Sequence, residues 1–174
     1  MATASETGPG KVVVVRHGEE PVVVVAGGNH VTTLLGATTT DGALDAITVR
    51  AEHDGGPPPH RHSFGEWFLV LEGSLELTGE SDGHIVSIDI LNAGDSAWVP
   101  PDCWHGTVNS SGSPARFLVV GQPGTMTGYF AEAGVPVADD ADAPGHEPAG
   151  PSELRDLAAQ HGLEFFDAPT QNQS

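Results

Sequence analysis

The sequence predicts an all-β domain, an antiparallel sandwich or barrel, followed by short helices. Between residue 11 and about residue 121, ten short segments are β-branched or apolar, and clusters of Gly, Asp, Asn, Ser or Pro separate most of them. No segment between them shows the period of a helix. A series of short strands with turn residues between them is typical of sandwiches and barrels.

The predicted strands follow one another along most of the chain. They cover residues 12–15, 22–26, 31–35, 44–52, 66–72, 75–78, 86–91, 96–99, 105–109 and 116–120. Residues 1–10 offer little apolar surface to pack, so we expect a flexible N-terminal arm there, before a barrel over residues 11–125.

The composition changes after the barrel. Residues 126–133 predict a short helix, and residues 134–151, which are mostly Pro, Gly, Ala and Asp, predict a linker. A second helix is predicted to begin after Ser152, a favourable N-cap, and to end at Gly162.

Two aromatic residues follow the second predicted helix. Phe165 and Phe166 are unfavourable on a free tail, so we expect them to pack on the barrel. Residues 126–166 are therefore interpreted as a C-terminal helical extension that packs on the barrel, and residues 167–174 as a flexible tail.

The charge of the chain argues against several classes of partner. Twenty-four acidic and six basic residues among 174 give a formal net charge of −18, which repels nucleic acid and anionic lipid. No apolar run is long enough to span a membrane, and the N-terminus lacks the pattern of a signal peptide. The single cysteine, Cys103, excludes an intrachain disulfide. We expect a cytoplasmic protein that binds a small molecule.

Three histidines and one glutamate stand out as a candidate metal site. His60 and His62 are two residues apart, so on a strand they project to the same side. Glu66 opens the next predicted strand, and His105 opens a later one. Imidazole and carboxylate groups together suit a divalent transition metal, and four protein ligands leave two positions open on a six-coordinate ion.

The spacing of these residues resembles the two signature motifs of the cupin superfamily. The first motif is a glycine, His-x-His, a glutamate and a second glycine, and the matching residues are Gly55 or Gly56, His60, His62, Glu66 and Gly73. The second motif is matched by Gly94, Pro100, His105 and Asn109. The chain departs from the motifs in a shorter first spacing and in Asp102, which replaces a glycine.

The resemblance implies a jelly-roll β-barrel with a metal near one mouth. The implied ligands are His60, His62, Glu66 and His105, holding one divalent ion per chain. Fe, Mn, Ni, Co, Cu and Zn all suit this ligand set, so the sequence does not select among them.

Strand parity predicts which side chains face the barrel interior. If Glu66 points inward, so do Phe68 and Val70. The alternate residues Trp67, Leu69 and Leu71 then form an outward apolar row. Either the C-terminal helix or a second subunit could cover this row, and the family habit favours a homodimer.

Three aromatic residues are candidates for a substrate pocket. Phe64, Phe68 and Phe130 could form an apolar wall for an aromatic or polyketide-like ligand, although ordinary core packing is the better explanation for any single one of them.

The wider sequence resembles single-domain cupins related to bacterial quercetin 2,3-dioxygenase. This resemblance implies a metal-dependent dioxygenase that cleaves an enol or phenol with O₂, with Glu66 as the catalytic base. The alternatives are a metal-dependent polyketide cyclase or isomerase, which consumes no oxygen, and a ligand-binding cupin without turnover. A sugar phosphate isomerase ranks lower, because six basic residues offer few groups to bind a phosphate.

Overall fold

The computed structural model describes residues 12–16, 18–139 and 150–167. This part of the chain contains twelve strands and two helices. In chain order they are β1 (Val22–Val25), β2 (Asn29–Leu35), β3 (Asp45–Ala51), β4 (His60–His62), β5 (Gly65–Glu72), β6 (Ser74–Ser81), β7 (His84–Asn92), β8 (Ser96–Val99), β9 (His105–Val108), β10 (Ala115–Gln122), α1 (Met126–Ala133), β11 (Val135–Val137), α2 (Pro151–Gln160) and β12 (Leu163–Phe165).

The strands form two antiparallel sheets that pack face to face. One sheet has seven strands in the order β11-β1-β2-β3-β10-β5-β8, and the other has five in the order β12-β4-β9-β6-β7. Both sheets pair strands that are distant in sequence, such as β3 with β10 and β4 with β9, as in a jelly roll. The predicted all-β architecture, a jelly-roll barrel with short C-terminal helices, is therefore confirmed.

The alternation predicted for β5 is confirmed. Glu66, Phe68 and Val70 are almost fully buried, whereas Trp67 and Leu71 are 37% and 41% exposed. The buried residues face the core between the sheets, because a strand that covers a core presents alternate residues to it. The C-terminal segment does not cover the outward row, since its aromatic residues pack elsewhere. A second subunit that covers the row stays a prediction.

Residues 12–15 do not form the predicted strand. The four valines are exposed and carry no ladder hydrogen bonds in the described part of the chain. A high β-propensity alone does not make a strand, because the segment must also pair with another strand.

Three short strands were not predicted from the sequence. One is β4, which carries the His-x-His pair. Another is β11, which lies where the sequence predicts a linker and closes one end of the seven-stranded sheet. The third is β12, which pairs with β4 in the other sheet. Each has only three residues, too few for a periodic pattern to be visible.

The helices agree with the prediction except at one N-cap. Helix α1 spans the predicted residues. Helix α2 has Gly150 rather than Ser152 at its N-cap, because Pro151 occupies the first helical position and the Glu153 carboxylate accepts a hydrogen bond from the Gly150 N–H at 3.2 Å. Gly162 follows the helix at φ +73°, as the predicted stop requires.

Several expectations fall on residues that the structure does not describe. The predicted N-terminal arm, residues 1–10, lies outside the described residues, and so do residues 168–174 of the predicted tail. Among the helices that are described, none has both the length and the apolar composition needed to cross a membrane.

Candidate metal centre

Three strands bring the four predicted ligands together. His60 and His62 lie on β4, Glu66 on β5 and His105 on β9. His60 and His105 are direct partners in the β4–β9 pairing, and β5 follows β4 after a two-residue connection. One ligand atom from each of the four residues lies within 4.8 Å of all the others. All four residues are at least nine-tenths buried, so the cluster is shielded from bulk water.

Backbone carbonyls fix the orientation of each imidazole ring. The Nδ1 atoms of His60, His62 and His105 lie 2.8 Å, 2.9 Å and 2.9 Å from the carbonyl oxygens of Pro58, Phe64 and Cys103. A carbonyl oxygen only accepts hydrogen bonds, so each Nδ1 carries the proton and donates it. The lone pair of each neutral ring is therefore on Nε2, which is how the outer hydrogen bond of a metal-binding histidine sets its tautomer.

The inner atoms of the cluster are then all acceptors. Glu66 Oε2 lies 3.0 Å from His105 Nε2 and 3.4 Å from His62 Nε2. His62 Nε2 is buried and has no hydrogen-bond partner among the described residues. Buried acceptors that face one another without a donor repel, so they need a shared cation. The donor set and its unpartnered nitrogen therefore fit one divalent transition metal.

The electrostatics prepare the same protonation states that a metal requires. Burial and the neighbouring His105 together lower the pKa of His60 to about 3. Burial alone would raise the pKa of Glu66, but the adjacent imidazoles of His105 and His62 outweigh it and lower that pKa to about 2. At neutral pH, His60 is therefore a neutral imidazole and Glu66 a carboxylate, ready to bind a cation.

The three aromatic residues predicted to line a pocket occupy two different places. Phe64 stacks on His62 with ring centroids 3.6 Å apart and planes 2° from parallel. Phe68 presents its edge to His105 at 6.0 Å. Both rings are buried in the core and support the histidines. Phe130 lies apart from them and lines a cavity of about 110 Å³ that reaches His60 from the side of the C-terminal segment.

The loop that leads into β4 requires a glycine at position 56. Gly56 has φ +136°, and a Cβ atom there would lie 2.1 Å from the carbonyl oxygen of Thr107. Only glycine permits this close approach, which lets the loop cross β9 immediately before His60. The run Gly55–Gly56 before three prolines is the sequence signal for it.

Sequence reasoning did not place two residues next to the site: it expected Phe165 to pack on the barrel without saying where, and it did not single out Asp45. Phe165 on β12 is the register partner of His60 and places its ring 6.3 Å from the imidazole. Asp45 is fully buried, accepts a hydrogen bond from the Thr127 N–H at 2.8 Å and so anchors the start of α1. Burial raises the pKa of Asp45. No spacing in the sequence signals either contact, because the partners are 82 and 105 residues apart.

Comparisons with known proteins agree with this architecture. Residues 47–121 match the family model described as "Cupin domain". No curated protein matches the sequence. Among solved structures, an RmlC-like cupin from Shewanella frigidimarina is similar at a TM-score of 0.53 and 22% identity, over 65% of this chain and 92% of that one.

Two further structures share the fold. The polyketide cyclase RemF from Streptomyces resistomycificus has a TM-score of 0.55 and 23% identity, over 64% of this chain and 80% of that one. Oxalate decarboxylase from Bacillus subtilis has a TM-score of 0.51 and 23% identity, over 59% of this chain and 27% of that one. At such identities the likeness shows the fold alone.

Residues 47–121, which contain the four candidate ligands, match a cupin domain, and the two-sheet barrel and the buried cluster of three histidines and one glutamate agree with that match. Within the superfamily these neighbours have different activities and none is specifically a quercetinase. The comparisons support the superfamily and a candidate metal site, and the particular reaction is a separate question.

Proposed function

We propose that this protein is a metal-dependent dioxygenase that cleaves a small substrate bearing an enol or phenol. The observation that carries the proposal is the buried, acceptor-only cluster next to an apolar cavity, with His60 contributing to both. Such a combination offers a place for a cation and a water-poor place for an organic molecule beside it.

His60, His62 and His105 would hold the ion through their Nε2 atoms, with Glu66 Oε2 as the fourth ligand. A divalent transition metal supplies Lewis acidity and open coordination positions for a substrate oxygen and for O₂. The backbone carbonyls behind the rings keep the three nitrogens aimed at one point. Oriented in this way, the rings need no rearrangement when a ligand binds.

Glu66 is the residue suited to remove a proton from the substrate. Its carboxylate is 4% exposed, so water does not compete for it. The low pKa keeps the carboxylate ionised at neutral pH. With Oε2 on the ion, the second oxygen, Oε1, could accept the hydroxyl proton of a substrate whose oxygen the metal has made more acidic, and could then donate a hydrogen bond back to that oxygen.

Oxygen consumption tests the proposal. The protein is reconstituted separately with Fe, Mn, Ni, Co, Cu and Zn, and oxygen uptake is measured with a panel of flavonols and β-diketones. We expect uptake that requires both a metal and a substrate. In Glu66→Gln, turnover should fall about a hundredfold or more, the range of lost general-base catalysis, with metal content largely retained. Glu72→Gln, the same change at an exposed position of β5, is the matched control.

Two other outcomes would overturn the dioxygenase. Consumption of a substrate without oxygen uptake would indicate a cyclase or isomerase, an activity that the polyketide cyclase with the same fold makes worth testing. A protein that holds metal and ligand but converts no substrate would be a ligand-binding cupin. Full activity of Glu66→Gln would contradict the assignment of the base.

A further inference from the structure

The cavity next to His60 has walls from both ends of the chain. Val31 and Val49, which pair directly in the seven-stranded sheet, form its inner wall. Phe130 of α1, Leu154 of α2 and Leu163 of β12 form the opposite wall. His60 is the member of the metal cluster that lines it, so the cavity and the metal centre meet at this one ring.

The chemistry of the walls excludes charged ligands. The described residues that line the cavity include no Lys, Arg, Asp or Glu, and most are aliphatic, aromatic or proline. An anion moved there from water would lose its hydration without gaining a counter-charge, which is strongly unfavourable. The part of a ligand that enters the cavity must therefore be uncharged and mainly apolar.

The size of the cavity limits the ligand further. An apolar cavity of about 150 Å³ accommodates one benzene ring. The present cavity measures about 110 Å³ and opens on one side. A single six-membered ring, or a branched aliphatic group of similar size, can fill it with its edge at the opening. The bicyclic core of a flavonol would collide with the walls.

We propose that this cavity is the specificity pocket of the enzyme and binds an uncharged group of about one ring, with the oxygen-bearing end of the substrate directed toward His60. This inference rests on the proposed function for the direction of the substrate, but the selectivity of the cavity follows from its walls alone. It narrows the substrate class to monocyclic or branched aliphatic enols and disfavours flavonols and dicarboxylates.

Three simple compounds test the selectivity without any turnover. Benzyl alcohol, benzoate and 2-naphthalenemethanol differ in turn by one charge and by one ring. Their binding to the full chain is measured by calorimetry in the metal-free protein, where no cation can attract the carboxylate of benzoate. We expect benzyl alcohol to bind at least about tenfold more tightly than either of the others, because burying a charge or overfilling a packed wall costs this much or more.

Substitutions in the walls test whether the compounds bind in this cavity. Phe130→Ala should let 2-naphthalenemethanol bind at least as tightly as benzyl alcohol, because it removes a ring from the wall. Val49→Leu should weaken benzyl alcohol binding by filling the cavity from the opposite side. Trp98→Ala removes an exposed aromatic ring that does not line the cavity and should change neither affinity.

Two results would overturn the inference, and both are distinct from a failure of the proposed reaction. Benzoate or 2-naphthalenemethanol binding as tightly as benzyl alcohol would contradict the stated selectivity. Unchanged binding in both Phe130→Ala and Val49→Leu would place the ligand elsewhere. The expected binding pattern without any oxygen uptake would leave the selectivity standing and overturn the dioxygenase and the role of the pocket in it.

Discussion

The candidate metal centre and the proposed specificity pocket meet at His60, but their structures depend on different interactions. The metal centre takes its four ligands from residues 60–105, and backbone carbonyls hold each imidazole ring in place. The pocket takes its walls from as far apart as Val25 and Phe165 and is formed by side-chain packing with few hydrogen bonds. One region is polar and set by strand register, whereas the other is apolar and set by volume.

This difference predicts which substitutions would affect the proposed reaction and which would affect the choice of ligand. A ring fixed by a backbone hydrogen bond tolerates little substitution, because its tautomer and direction depend on the strand itself. A wall formed by packing tolerates changes of volume, usually at a modest cost in stability. We therefore expect substitutions in the metal centre to abolish chemistry and substitutions in the pocket to change which substrate reacts.

The largest effect is expected when one of the candidate metal ligands is removed. In His62→Ala, the zinc affinity should fall about a hundredfold or more, because removal of a first ligand costs at least as much as the loss of its supporting hydrogen bond. Binding of benzyl alcohol should persist, since His62 does not line the cavity. Titration with zinc and calorimetry with benzyl alcohol measure the two effects.

His84→Ala is the matched control for this variant, because His84 is an exposed histidine at the start of β7. It should change neither affinity. An unchanged zinc affinity in His62→Ala would contradict the ligand assignment, and the loss of both affinities would show that the two regions are not separable.

The next effect is on stability, and it concerns the loop that leads into β4. Gly56→Ala places a Cβ atom against the Thr107 carbonyl and adopts a backbone conformation that is nearly exclusive to glycine. The free energy of unfolding should fall by about 3 kcal/mol or more, the sum of backbone strain and a collision within the core. Thermal or denaturant unfolding measures the loss.

Gly83→Ala separates the two causes. Gly83 also has a positive φ, +78°, but a Cβ atom there would have no heavy atom within 4 Å. It should lose only the cost of the left-handed backbone, about 1 kcal/mol. Equal losses in the two variants would show that the contact with Thr107 does not limit the loop.

The same contrast explains how much the sequence predicts. The ligands lie within two motifs, and strand parity places Glu66, Phe68 and Val70 on the inner face, so both could be predicted. Of the cavity lining, the sequence indicated only Phe130, because residues such as Phe165 and His60 meet only when β12 pairs with β4. The valines at 12–15 show the opposite error, since a strong local preference for a strand formed none there.

The last expected effect is a pH dependence that belongs to the candidate metal centre and not to the pocket. In the metal-free protein, His60 has a pKa of about 3 against an ordinary value of 6.5, so the unfolded chain binds more protons between these values. The stability that His60 contributes is therefore complete above pH 6.5 and is lost as the pH falls toward 3. Glu66, with a pKa of about 2 against 4.5, adds a further loss as the pH falls below 4.5.

Each proton accounts for at most about 1.4 kcal/mol per pH unit. Denaturant unfolding of the metal-free protein between pH 7 and pH 4 should therefore show a gradual loss that is reduced in His60→Ala. Phe130→Ala, on the pocket wall opposite, should lower the stability at every pH and leave the slope unchanged, because it removes packing and no titrating group. An equal slope in His60→Ala and in the unsubstituted protein would mean that another group carries the acid sensitivity, and the electrostatic contrast between the two regions would not hold.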